Sequence, residues 1–321
     1  MKKILIIRFS SIGDIVLTTP VVRCLKKQLN VELHYLTKSS FGGILNNNPY
    51  LDKVHTIDKE ISKELIQELK GENFDFVVDL HHNLRSFRVK RALRVASKSY
   101  RKMNFQKWLL MNLNLNRMSD SHVVDRYMET LSHLGVKNDS MGLDYFVEPN
   151  VDVDFDLNQS YVCWSIGGSF PQKKLSEEQI IFVCSKVSVP IVLLGGAQEM
   201  KAAETIIRAS KKSNVINFCG KISLDQSALL VKHSKLLLSN DTGLMHIGAA
   251  FGKNMISFWG CTKPILGFAP YYAGEKSVEL ISKKSLQPCS KHGLSCRHHE
   301  LGCIQFIDPQ EIYLALSKLI D

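Results

Sequence analysis

No apolar run in the 321-residue chain approaches the roughly 18 residues that a membrane-spanning helix needs, so an integral helical membrane protein is excluded. The opening Met1-Lys2-Lys3 and Ile4-Leu5-Ile6-Ile7 imitate an export signal, but Arg8 ends the apolar stretch after four residues, short of the about 7–15 such a signal needs. The stretch reads as a first strand of a cytosolic protein. Neither the G-x-G-x-x-G pattern of dinucleotide binding nor a phosphate loop occurs, which demotes hydride transfer and nucleoside triphosphate hydrolysis. Internal repeats and low-complexity tracts are also missing.

Cysteine pairs two to four residues apart, the usual mark of structural zinc, are absent as well. The chain has 8 cysteines, expected as free thiols in a reducing compartment. Cys24, Cys163, Cys184, Cys219 and Cys261 lie in or beside apolar segments and read as core residues. Cys289, Cys296 and Cys303 are separated by two gaps of six residues, with His292, His298 and His299 interleaved. That stretch reads as a thiol-rich surface loop; a zinc site is the alternative, which the missing close pairs disfavour, and no metal ligand is assigned.

Acidic residues are scarce relative to basic ones: 41 Lys+Arg against 31 Asp+Glu give a formal charge of +10. Such an excess points to a polyanionic partner: nucleic acid, an anionic membrane face or phosphorylated small molecules. Between Arg85 and Arg126 lie Arg85, Arg88, Lys90, Arg91, Arg94, Lys98, Arg101, Lys102, Lys107, Arg117 and Arg126, opposed only by Asp120 and Asp125. Nine of the ten net charges therefore sit in this one segment, which a solvated helix face would also explain.

Short apolar runs alternate with helical patterns, the signature of parallel α/β sheets. In the first half the runs are Lys3–Arg8, Glu32–Leu36 and Phe74–Leu80. Helical patterns cover 15–29, where Pro20 starts a new segment, and 61–69, which Gly71 is expected to cap. The acid-, Pro- and Asn-rich stretch 148–154 reads as a linker, dividing the chain into domains 1–150 and 151–321. Beyond it, strands are expected at 161–166, 190–194, 215–218, 235–239 and 254–259. Helices are expected at 176–187, 197–211, 224–233, 243–251 and 310–320. Two α/β halves leave a cleft, and ligands of such sheets bind beyond the carboxyl ends of the strands.

Three turns in the second half carry the residues for anion binding: Gly167-Gly168-Ser169 with Lys173 and Lys174 behind it, Gly195-Gly196, and Asn240-Asp241-Thr242-Gly243 opening a helix that contains His246. Bare amides at a helix start suit a phosphate or diphosphate, although glycine also serves merely to turn the chain. Asp241 is expected to cap that helix. In the first half, Asp14 follows Ser11 and Gly13 in a strand-to-helix turn, either as a helix cap or as a carboxylate able to take a proton from an acceptor hydroxyl. His81, Asn83 and Arg85 stand at the end of another strand, placed as a ligand surface.

The stretch from Ile7 to Pro20, together with Ser239-Asn240-Asp241-Thr242-Gly243-Leu244-Met245-His246-Ile247 and Phe258-Trp259-Gly260-Cys261-Thr262, resembles glycosyltransferase family 9, the ADP-heptose:lipopolysaccharide heptosyltransferases. The resemblance implies a GT-B fold: two Rossmann-like α/β/α domains facing across a cleft, with a C-terminal helix. Residues 1–150 would bind the acceptor and 151–321 the nucleotide sugar. It further implies inverting, metal-independent transfer of heptose to the inner core of lipopolysaccharide, on a lipid A–Kdo type acceptor, without a cofactor. By position, Asp14 matches the catalytic base, Lys173 the lysine that neutralises the diphosphate, and Asp241, Thr242 and Gly243 the turn that cradles it. Gly168, Ser169, Gly195, Gly196 and His246 complete the donor set, with Asp225 as the ribose ligand and Gln226 its neighbouring candidate. Ser11, Gly13, His81, Asn83 and Arg85 form the acceptor set. Where family members carry tryptophan two residues after the lysine, this chain has Leu175.

The expected partners are therefore a nucleotide sugar, a lipid-linked anionic saccharide and, through the basic segment and Trp108-Leu109-Leu110-Met111, the anionic inner face of the inner membrane. The alternatives are another nucleotide sugar or a basic nucleic-acid-binding protein. Against the second, the segment lacks the aromatic interleaving of single-strand binders, and nucleic acid is not expected as a partner.

Overall fold

The computed structural model describes residues 1–320, which form two compact units. The first holds Met1–Lys102 and Ser121–Phe146; the second holds Met103–Asp120 and the chain from Val147 onward.

In the first unit the order is β1 (Lys2–Ile7), α1 (Ile12–Val16), α2 (Thr19–Gln28), β2 (Val31–Lys38), α3 (Ser39–Gly42), β3 (Lys53–Ile57), α4 (Lys63–Gly71), β4 (Phe76–Asp79), α5 (Leu84–Leu93) and β5 (Ala96–Ser99). The chain then passes through α6 (Asn104–Leu113), in the second unit, and returns with α7 (Val123–Met128). The strands form a sheet in the order β3-β2-β1-β4-β5, and every pairing is parallel. Central β1 is apolar from Ile4 to Ile7 because helices cover both of its faces. Leu5, Ile7 and Phe9 pack with Leu36, Leu69 and Val77 in one core cluster.

The second unit continues with β6 (Val162–Ser165), α8 (Glu177–Lys186), β7 (Ile191–Leu194), α9 (Met200–Ser210), β8 (Val215–Asn217), α10 (Leu224–His233), β9 (Leu236–Asn240), α11 (Gly243–Ala250), β10 (Met255–Trp259), β11 (Val278–Ile281) and α12 (Pro309–Ile320). Its sheet runs β11-β10-β9-β6-β7-β8, again parallel throughout. Trp164, Leu238 and Phe258 lie in its core, which Ile312 and Leu316 of α12 help to close. Helix α6 belongs here because buried Lys107 sits 5.2 Å from the Phe268 ring centroid, while Asn104 and Asn112 accept hydrogen bonds from Lys291 and Arg297.

Several local expectations need correction. Strands β3, β5 and β11 have no counterpart in the sequence reading. Gly71 lies within the last turn of α4, and the left-handed residue that follows is Asn73. Cys289 and Cys303 are buried, so the thiol-rich stretch is not a simple surface loop. Within the basic segment, Lys90 pairs with fully buried Asp79, and Lys107 and Arg126 are themselves buried. Among the described residues no helix is long and apolar enough to cross a membrane.

Candidate active site

In the first unit, parallel pairing sets Ile7 beside Asp79, so the turns after β1 and β4 emerge together. Arg8, at the end of β1, is buried among acceptors. Its Nη1 donates to the Leu80 carbonyl at 2.6 Å and to the Tyr127 hydroxyl at 3.1 Å, and its Nε to the Ser10 carbonyl at 2.8 Å. Nη2 lies 2.6 Å from Asp14 Oδ1. The other Asp14 oxygen accepts from the Ser11 amide at 3.1 Å and the Ser11 hydroxyl at 2.9 Å. Ser11, not Asp14, is the residue capping α1; Asp14 sits in the first turn. Burial alone would raise the Asp14 pKa, but Arg8 and the Ser11 hydrogen bonds outweigh it and hold the carboxyl below its ordinary range. The group is thus ionised at neutral pH, and a quarter of the side chain stays exposed (25%), which leaves it reachable.

The turn after β4 is organised by Asp79, which accepts from the backbone amides of His81 at 3.1 Å and His82 at 2.6 Å, the Ser86 hydroxyl at 2.8 Å and the Lys90 ammonium at 2.8 Å. His81 stacks edge-on against Phe9, ring centroids 5.0 Å apart. Burial, aided by the charges of Arg8 and Lys102, pushes its pKa down to about 3, so it is neutral at physiological pH. Asn83 caps α5, accepting from the Ser86 amide at 3.0 Å, so its side-chain oxygen is engaged locally. Arg85 reaches outward to the Lys59 carbonyl, and Gly13 is buried within α1.

In the second unit the turns after β6 and β9 are tied by Asn240, whose Nδ2 donates to the Gly167 carbonyl at 2.9 Å. Lys173 ends a short 3-10 turn, Pro171–Lys173, and its Nζ lies 2.6 Å from Asp241 Oδ2. The same oxygen accepts from the Thr262 hydroxyl at 3.1 Å, from the turn after β10. Thr242, not Asp241, caps α11, and its hydroxyl contacts Ser239 and Ser165 instead of the helix amides. The first-turn amides of α11, beginning at Gly243, thus have no side-chain cap and follow directly on Asp241, the partner of the Lys173 ammonium. Such a pairing of dipole, amides and cation favours a diphosphate. His246 is buried on the next turn of α11.

The Gly195-Gly196 turn serves a different purpose. The Gly196 amide donates to Glu199 Oε2 at 2.9 Å, and Lys174 pairs with Glu199 Oε1 at 2.5 Å. A side chain on Gly195 would come within 2.9 Å of Glu199 Cβ. A carboxylate of the chain itself thus engages the Gly196 amide, one of the groups expected to face the nucleotide sugar. A cavity nearby is lined by Lys174, Glu177, Glu178 and Glu199 together with apolar side chains. Gly168 packs against Lys174, and Ser169 is exposed beside it. Gln226 is spent on the cap of α10, accepting from the Ser223 amide and donating to the Asp152 carbonyl, which leaves Asp225 as the ribose candidate. Sequence reasoning missed Arg8, Asp79, Glu199 and Thr262 as organising residues. The signal for the first two was a charged residue at the end of a buried apolar strand, which requires a partner.

Two Rossmann-like units, each with its polar side chains gathered after the strands, define the fold class of GT-B glycosyltransferases. Residues 62–298 match the model of glycosyltransferase family 9 (heptosyltransferase), and the chain belongs to that family and is a glycosyltransferase. It is 26% identical over 288 residues to lipopolysaccharide heptosyltransferase 1 of Campylobacter coli, covering 81% of this chain and 84% of the relative. Among solved structures it resembles a glycosyltransferase family 9 protein of Veillonella parvula, with TM-score 0.80, 21% identity and coverage of 99% and 97%. It also resembles the ADP-heptose lipopolysaccharide heptosyltransferase II of E. coli, with TM-score 0.73, 18% identity and coverage of 100% and 98%.

The neutral His81 has a measurable signature. Its pKa rises from about 3 in the folded chain to the ordinary 6.5 on unfolding, so the unfolded state binds the extra proton between those values. The associated stability is complete above pH 6.5 and is lost as pH falls toward 3. Urea unfolding of His81→Gln across this range should give a shallower pH dependence than the parent. Parallel curves would show that His81 binds its proton equally well in the folded and unfolded chain, with no depressed pKa.

Proposed function

We propose that this glycosyltransferase moves heptose from ADP-heptose to the inner core of lipopolysaccharide, by an inverting displacement that requires no metal ion. The observation that carries the reading is the Lys173 ammonium, 2.6 Å from Asp241, beside the uncapped amino end of α11. The names of the relatives support the sugar and the acceptor. In the proposed reaction Asp14 takes the proton of the acceptor hydroxyl, whose oxygen attacks the anomeric carbon. The bond from that carbon to the diphosphate breaks, and ADP leaves with the charge it gains. Lys173 and the amides of Thr242 and Gly243 stabilise that charge, while Asp225 holds the ribose. Ser11, His81 and Arg85 contribute to the acceptor side. No cofactor takes part, and a donor-hydrolysis screen across nucleotide sugars separates ADP-heptose from other donors.

Asp14→Asn should leave ADP binding nearly intact and lower turnover by roughly 10²-fold or more, as loss of a general base does. Turnover equal to the parent's would remove Asp14 from the mechanism.

Lys173→Ala should weaken ADP binding and transfer together, whereas Lys174→Ala, which loses only the pair with Glu199, should have the smaller effect. Transfer by the parent should also continue in EDTA without added Mg²⁺. Equal effects of the two lysines, or loss of transfer that Mg²⁺ restores, would count against the diphosphate assignment.

The enzyme is further proposed to work at the anionic cytoplasmic face of the inner membrane. Arg88, Arg91, Arg94, Lys98 and Arg101 are exposed, and the segment that follows carries exposed Phe105 and Trp108, their rings stacked with centroids 6.4 Å apart. Basic residues near such a surface contribute about 1 kcal/mol each. Neutralising Arg91, Arg94, Lys98 and Arg101 together should weaken binding to anionic vesicles and slow transfer to a lipid-linked acceptor, with donor binding unchanged. Equal slowing with a short lipid-free acceptor would assign these residues to acceptor binding instead.

A further inference from the structure

Four cysteines distant in sequence meet in the second unit. Cys261 follows β10, while Cys289, Cys296 and Cys303 come from the long segment between β11 and α12. Their sulfur atoms all lie within 4.8 Å of one another. The Sγ separations are 3.5 Å for Cys289–Cys303, 3.3 Å for Cys296–Cys303 and 4.0 Å for Cys289–Cys296. Four sulfurs placed tetrahedrally around zinc at ~2.3 Å are about 3.8 Å apart, so the cluster already has nearly the dimensions of a tetrathiolate shell.

The surroundings suit bound thiolates. The Cys303 amide donates to Cys261 Sγ and the His298 amide to Cys296 Sγ, each at 3.3 Å. Buried Lys263, whose ammonium donates to the Ser282 carbonyl at 2.8 Å, is near enough to Cys261, Cys289 and Cys303 to feel their charge. Amides and a cation offset the net negative charge of a Zn(Cys)₄ centre. The spacing of the last three cysteines hid this because the fourth ligand comes from another strand end.

We propose that Cys261, Cys289, Cys296 and Cys303 form a structural site for one zinc ion, four thiols giving up their protons as the four Zn–S bonds form. The site fastens a stretch that has no helix or strand between Ile281 and Cys303, longer than an unsupported loop ordinarily is. That stretch packs on the lysine turn of the donor site. A side chain at Gly293 would meet Lys173 Cγ at 2.7 Å, one at Gly302 would meet the Gln172 carbonyl at 2.5 Å, and Gln172 donates to the Glu300 carbonyl at 2.9 Å. Thr262, next to Cys261, holds Asp241. The ion is closed off by four protein ligands and takes no part in transfer.

Elemental analysis of the full chain, purified without chelator, tests the proposal independently of any activity. About one zinc per chain is expected, released when the thiols are titrated with a mercurial. Cobalt exchanged into the protein should give the visible absorption of a tetrahedral centre with sulfur-to-metal charge transfer. Cys296→Ser, at the least buried ligand, should weaken zinc binding at least ~100-fold, beyond the range that loss of an outer partner costs. Protein that lacks zinc, takes up none when it is added and keeps four reduced thiols overturns the site. So does a cobalt spectrum without sulfur charge transfer, and iron in place of zinc overturns the choice of metal.

Discussion

Parallel strand pairing is the constraint from which the rest of the molecule follows. When neighbouring strands run the same way, their carboxyl ends leave the sheet on one edge, and each must be followed by a crossover that begins there. Residues far apart in sequence are thereby delivered side by side: Asp79 beside Ile7 in the first unit, Phe258 beside Asn240 in the second. Polar side chains excluded from the sheet interior collect on that edge. They can be ionised there because compensating partners lie within reach, from the helix that follows, as for Arg8 with Asp14, or from the turn after the neighbouring strand, as for Lys173 with Asp241.

Both units solve the resulting electrostatic problem in the same manner. In each a cation holds a carboxylate: Arg8, just after β1, holds Asp14 of α1, and Lys173, from the 3-10 turn after β6, holds Asp241, just after β9. Each pair is partly open to solvent, and a wholly sealed pair would cost more in desolvation than its attraction returns. The two differ in what surrounds them. Arg8 is gripped by carbonyls and a tyrosine hydroxyl, so it is a fixed charge that keeps Asp14 ionised. Lys173 has a single charged partner beside a free helix end, an arrangement that can share its charge with an arriving anion.

The sequence was readable where burial imposes a pattern. Central strands such as β1, β6 and β9 announce themselves as unbroken apolar runs, and α10 matches its expected bounds residue for residue, because Ser223 and Gln226 form its cap. The three strands that were missed, β3, β5 and β11, are all at sheet edges. Their compositions, such as Ala-Ser-Lys-Ser in β5, carry no apolar run because one side faces water. The turns that carry the candidate site could be placed from the sequence, but not its internal wiring. That Asp241 receives Lys173 while the Thr242 hydroxyl turns to Ser165 and Ser239 and leaves the helix uncapped depends on where a distant turn is delivered, which local spacing does not encode. The cysteine cluster illustrates the same limit: three of its members are close in sequence, and the fourth arrives only through β10.

The path of the chain between the units limits how the molecule can be made and cut. Helix α6 is synthesised before almost all of the unit to which it belongs, since Val147 and everything after it follow. Until then Leu110 and the aliphatic stem of Lys107 have no surface to cover, and α6, ten residues long, is too short to persist alone. The nascent first unit thus carries an apolar segment that becomes a settled helix only when Phe268 has emerged. A break at the linker separates α6 from its unit, so neither half obtained that way is whole. Severing the units cleanly requires excising α6 as well, or reconnecting it to the second half by a rearranged chain.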